Sequence, residues 1–268
     1  MSAQMLFLVN VVLPLLVAPI YFILAFYIRK IKPLRLLIMG EETYHYAFWI
    51  FFLFGLFFLG RPFQVLLGPH PMPFIISSLR EFIMIGLLTP CVVSGILNQI
   101  YYDSDLPNII IRFIFTFCIL LGVVFVYANF KSISGSHLIF EYKFLKAYDG
   151  NWFSPQNINS VYLVLLFAIR LIAPFLLMLS VGILAILKAI SFPKDSLYHN
   201  LPKKYFLEGL AIIIFSISVV FTGIIAYFWN FQTQWYYLGA LLAGILGFIS
   251  LKIPPRDFKV TNALQEHK

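Results

Sequence analysis

The apolar positions of this chain run together in long blocks, separated by short stretches that hold most of its Lys, Arg, Asp and Pro. Seven blocks are long enough to span a bilayer, at about 6–28, 45–67, 74–100, 109–128, 160–187, 206–229 and 236–252. A spanning helix needs about 20 apolar residues. Inside hydrocarbon every backbone amide must be satisfied within its own segment, so each block is expected to be a helix. The expected fold is all-α: a polytopic, seven-transmembrane-helix bundle in one domain, 1–252, with a short basic tail, 253–268. The first block has neither a basic stretch before it nor an A-x-A cleavage site after it, so it reads as a retained span.

The polar stretches between blocks give an orientation. With the N-terminus outside, the inner segments hold Arg29, Lys30, Lys32, Arg35, Lys188, Lys194, Lys203, Lys204, Lys252, Arg256, Lys259 and Lys268. The outer segments hold Lys131, Lys143 and Lys146. Basic residues concentrate in cytoplasmic loops, so the expected topology is N-terminus out and C-terminus in. Asp103 and Asp105 in one inner loop do not change this, because acids weigh little in the rule. Trp229, Trp235, Tyr236 and Tyr237 flank the short outer turn between helices six and seven, as interfacial rings do. The one long outer connection, 129–158, is polar and turn-rich, with Tyr148, Asp149, Gly150, Asn151 and Trp152 in a row.

Composition narrows the class further. Hydrophobic residues make up 61% of the 268 and charged residues 11%, against about 45–50% and about 25% in soluble domains. Mean hydropathy is +0.91. The net charge of +8 belongs to the inner loops and implies no nucleic-acid partner. The reading is a multi-pass integral membrane protein, with a bacterial plasma membrane as the expected host. Cys91 and Cys118 fall inside apolar blocks and read as small packing residues.

Much chemistry is missing from the pattern. His45, His70, His137, His199 and His267 all lie in loops or at helix ends, so no facing pair is available for haem, and no metal site or other cofactor is expected. Lys188 and Lys252 sit at helix ends, away from where a retinal Schiff base forms. Neither HExxH nor GxSxG occurs. Glu41 and Glu42 open helix two, where the helix dipole favours acids. No catalytic residue is assigned, and the chain reads as non-enzymatic.

Charges inside the blocks carry what function can be read. Those that lie well inside are Arg61, Arg80, Glu81 and Arg170, and intramembrane charges are costly and usually functional or paired. Helices two and three are joined by the tight turn Gly68-Pro69-His70-Pro71-Met72-Pro73. Arg61 and Arg80 are equally far from its centre, so an antiparallel hairpin puts them in one layer, roughly 10 Å below the outer surface. Glu81 is adjacent and could pair with Arg61. Gln64, His70, Ser77 and Ser78 surround the same layer. Arg170 lies roughly 15 Å deep in helix five. The outer half then has two positive charges more than negative within its spans. The candidate ligand site is Arg61, Gln64, Arg80, Glu81 and Arg170, and its ligand would be a lipid headgroup, a small anion or a partner's acid, since Arg suits bidentate contact with such groups.

Partner surfaces are also expected. Besides the bilayer itself, a protein partner could dock on the basic inner loops. Gly239, Ala243 and Gly247 make one face of helix seven small enough for close helix approach, within the chain or to a partner.

The segment Phe167-Ala168-Ile169-Arg170-Leu171 resembles the helix of subunit a of rotary ATP synthases, in which an Arg with Leu after it faces the proton ring. The resemblance covers only this stretch. The Asn found soon after the Arg in that family is absent here, as is a Gln in helix six. The resemblance implies ion translocation with Arg170 central. Three functions therefore stand: a receptor-like or complex-forming membrane subunit, a proton- or small-anion-translocating subunit, and a lipid-modifying membrane enzyme whose arginines hold phosphate. The last lacks a base or nucleophile in the spans.

Overall fold

In a computed structural model, residues 2–39, 41–69, 71–101, 106–132, 136–150, 161–192, 200–229 and 234–253 are described. The chain is mostly helical. Its helices are α1 (Ala3–Phe7), α2 (Leu13–Met39), α3 (Glu41–Leu66), α4 (Met72–Phe82), α5 (Thr89–Ile100), α6 (Leu106–Ser132), α7 (Val161–Ile190), α8 (Leu201–Trp229) and α9 (Gln234–Lys252). Among the described residues, four helical stretches are long and apolar enough to cross a membrane: Ala3–Lys30, His45–Leu66, Met72–Ile100 and Asn108–Tyr127. Pro174–Ile190 and Tyr236–Lys252 are shorter apolar stretches of the same kind. The chain is an integral membrane protein.

Two of these rods contain a π-helical insert. Leu8–Val12 joins α1 to α2, and Ile83–Leu88 joins α4 to α5. Each insert stands just before a proline, Pro14 and Pro90. A proline lacks the N–H that the carbonyl four residues earlier expects, and its ring crowds that carbonyl. Widening the preceding turn relieves the clash, and polar side chains take up carbonyls around it. Asn10 Nδ2 donates to Leu6 O at 2.9 Å, and Thr89 Oγ1 donates to Met84 O at 2.8 Å.

The turn between α3 and α4 reverses the chain. Gly68 sits at φ +99°, a conformation that a side chain would strain. Pro73 then occupies the first turn of α4, where no N–H is missed. The core is a column of rings from α2, α3, α8 and α9. Tyr21 packs against Phe51, Phe54 and Phe58, and Phe54 meets Phe215 edge-on at 4.8 Å. The Tyr21 hydroxyl donates to Ala240 O, which satisfies the one polar atom this ring brings into the core. Between apolar helices in lipid, such shape fit is the main source of cohesion.

The small-residue face of α9 is occupied within the chain. A Cβ at Gly239 would overlap Ser218 of α8, and one at Gly244 would come within 2.7 Å of the Tyr21 hydroxyl oxygen. At Gly247 it would meet Phe51 of α3 at 3.7 Å.

The expected all-α fold needs one correction. The connection read as a polar loop, 129–158, contains an antiparallel hairpin, β1 (Ser136–Tyr142) and β2 (Leu145–Gly150). Its register shifts between Leu138 and Phe140, as at a β-bulge. Lys143, at the reversal, takes φ 56°. Phe140 and Ala147 are buried against Val11 and Val65. Phe7 of α1 stacks on Tyr142 at 5.3 Å and meets Phe140 edge-on at 6.2 Å. An isolated two-stranded hairpin is marginal in water, so the ends of α1 and α3 are what hold this one.

Candidate functional site

The hairpin closes over a cavity of about 370 Å³ at its end of the bundle. Arg61 and Gln64 reach it from α3, Ser77, Arg80 and Glu81 from α4, Asp149 from β2 and Tyr236 from α9. Four residues of the expected site, Arg61, Gln64, Arg80 and Glu81, thus lie on one wall system. Arg170 lies within α7, and its side chain is outside the described residues. Pro174 and Phe175, one turn further along α7, line the same cavity. Ser77 lines it too, whereas Ser78 turns to a separate apolar groove with Phe82 and Phe130. His70 is outside the described residues.

The acid that meets Arg61 is Asp149, not Glu81. Arg61 Nη1 donates to Asp149 Oδ2 at 2.8 Å. Arg61 Nε and Nη2 both donate to Asn10 Oδ1, at 3.1 and 2.6 Å. Asn10 can accept there because its amide nitrogen is turned back to Leu6 O in the π insert. Both side chains of the ion pair are 16% exposed, so the pair is partly screened from water.

Gln64 links the two arginines. Its Nε2 donates to Asp149 Oδ1 at 2.7 Å, and its Oε1 accepts from Arg80 Nη1. Arg80 Nε donates to Phe57 O at 2.9 Å. Pro62 lies within α3 in the same stretch, so the helix is locally irregular beside this contact. The Arg80 guanidinium also lies over the Phe57 ring, 4.5 Å from its centroid. Gly60 makes this possible, since a Cβ there would be 2.7 Å from Arg80 Cδ. Among the described residues, no carboxylate pairs with Arg80, and its Nη2 meets no acceptor. The Tyr236 hydroxyl, buried on the same cavity, has no hydrogen-bond partner among the described residues either.

Two members of this arrangement leave little trace in the sequence. Asn10 is a single polar residue in the first block, with nothing around it to mark a role. Asp149 shows only as an acid in the long connection, and the excess positive charge of the spans is the clue that an acid must come from elsewhere.

No family model matches the chain, and no curated protein matches it.

Proposed function

We propose that this chain is a seven-span, non-enzymatic membrane subunit, N-terminus outside and C-terminus inside, that binds an oxyanion in the hairpin-end cavity. The observation that carries the reading is Arg80. Asp149 and Asn10 occupy Arg61, while among the described residues Arg80 Nη2 meets no acceptor and the Tyr236 hydroxyl on the same cavity has no partner. A planar, charged donor beside a hydroxyl donor suits phosphate or carboxylate. The cavity volume falls within the range of about 300–1,000 Å³ usual for small-ligand sites. The oxyanion comes from a lipid headgroup, a small anion or a partner's acid. The chain then acts on a separate protein through the basic loops at the opposite end.

Native mass spectrometry of the protein in nanodiscs tests this. Wild type should retain phosphatidylglycerol, and Arg80→Lys and Tyr236→Phe should each retain less of it. Retention of added inorganic phosphate instead would identify a small-anion site. A stoichiometric protein that leaves on Arg80→Ala would identify a partner's acid. Equal retention by wild type and Arg80→Ala of every such species would end the proposal.

Translocation is the second reading, and a specific observation favours it. Rings that wall the hairpin-end cavity touch rings that wall a second chamber further along the bundle: Tyr236 lies 6.1 Å from Phe215, and Phe175 lies 6.5 Å from it. Anion flux into liposomes that contain the pure protein, abolished by Arg80→Ala, would favour this reading over the subunit.

A further inference from the structure

At the end of the bundle away from the hairpin, α8 carries Lys204 and Glu208 one turn apart, with Lys204 Nζ 3.6 Å from Glu208 Oε1. Lys204 is fully buried and Glu208 nearly so. Ser250 of α9 lies with Oγ 3.2 Å from the same oxygen and 2.6 Å from Gly247 O, and shares its proton between them. Gln99 of α5 donates its side-chain amide N–H to the carboxylate. Its backbone carbonyl accepts from the Tyr205 hydroxyl at 2.9 Å, which ties α5 to α8 at this point.

Glu208, Gln99 and Ser250 form the polar end of a chamber of about 110 Å³. The rest of its wall is apolar, including Phe51, Phe54, Val92, Met178 and Phe215. Two acceptors at the polar end, Glu208 Oε2 and Gln99 Oε1, are buried and meet no donor among the described residues. Buried acceptors left without a donor are rare in folded proteins and need a reason.

We infer that this chamber binds a small neutral molecule with a hydrogen-bond-donating head, a hydroxyl or amide N–H, on a short apolar body. The head is a donor because the open positions are acceptors. It is neutral because Lys204 and Glu208 already cancel. An ammonium would leave an uncompensated charge in a low-dielectric wall, and an anion would face two acceptors. The apolar walls set the body, and the volume, below the roughly 150 Å³ of a cavity that takes benzene, limits it to a few heavy atoms. A single water satisfies the polar end but leaves the apolar part unfilled. The site is separate from the hairpin-end cavity and stands whether or not an oxyanion binds there.

Fluorine NMR of the full chain in nanodiscs tests the inference, with trifluoroethanol as probe and trifluoroethane as its counterpart lacking the hydroxyl. A saturable bound resonance is expected for the alcohol. The alkane should bind roughly tenfold more weakly, and Gln99→Leu should weaken the alcohol on the order of fivefold. Ala243→Leu, which fills the chamber, should abolish the bound signal. Gly247→Ala is a milder blocker whose methyl makes only an ordinary contact with Phe51, and it should weaken binding if the larger change prevents folding. Alcohol that only partitions into lipid without saturating, or alcohol and alkane that bind equally and ignore Gln99→Leu, would overturn the assignment. The second result would leave an apolar void, and the first a chamber holding water alone.

Discussion

An ion pair is set into the wall at each end of the bundle, and the two are made in opposite ways. Lys204 and Glu208 are four residues apart on one helix, and the pair is closed in, with side chains 0% and 8% exposed. Arg61 and Asp149 are 88 residues apart, come from a helix and a strand, and remain partly open to water. Helix periodicity delivers the first pair as soon as α8 forms. The second exists only after the hairpin has docked on α1 and α3. One pair is therefore a property of a helix, and the other reports that tertiary assembly is complete.

Removing one partner should separate them most clearly. Glu208→Ala leaves Lys204 buried without its carboxylate, which costs about 3–5 kcal/mol. Equilibrium unfolding in mixed detergent micelles measures it, and a loss below about 1 kcal/mol would show that water or another partner of Lys204 replaces the carboxylate.

Asp149→Ala should cost less, about 1.5–3 kcal/mol, because Asn10 still accepts from Arg61 and water reaches the site. Its distinguishing effect is local. Hydrogen exchange should rise across Ser136–Gly150 and stay unchanged in α8. Equal exchange in the hairpin of both proteins would mean that Phe7 and Phe140 hold the hairpin without the ion pair.

The smallest effect is expected at Lys146 and Glu141, a cross-strand pair 3.7 Å apart whose side chains are more than half exposed. Glu141→Gln should change stability by no more than about 0.5 kcal/mol, and even that should fade as salt is added. A larger, salt-resistant change would mean that the hairpin face is covered in the working protein.

The comparison also explains what can be read from the chain. Arg61, Gln64, Arg80 and Glu81 are legible as neighbours because a tight turn folds two helices back on each other, so equal distance from the turn means equal depth. Asp149 is not, since nothing local tells an acid in a connection which helix it will meet. The hairpin itself is short, and its alternation is interrupted at Leu138–Phe140, so period-two spacing never builds into a signal. Lys204 reads as a loop base because the apolar block opens near 206, whereas α8 begins at Leu201 and takes Lys204 into the wall. A block of apolar residues marks the hydrocarbon-facing part of a helix, and the helix extends beyond it.

The π insert at Leu8–Val12 has a consequence for how length, and not only composition, is constrained here. An insert of this kind adds one residue to a helix and turns everything before it by about 100° relative to the residues after it. Phe7 meets Phe140 and Tyr142 only with that extra rotation in place. Deleting a single residue between Leu8 and Val12 would give a smoother helix of the same hydrophobicity, and would swing Phe7 around the rod to a different bearing. The hairpin would lose its seat, Asp149 would leave Arg61, and a protein with better local geometry would have a worse site. In this segment the cavity depends on the angular phase of the chain, a quantity that no single side chain carries.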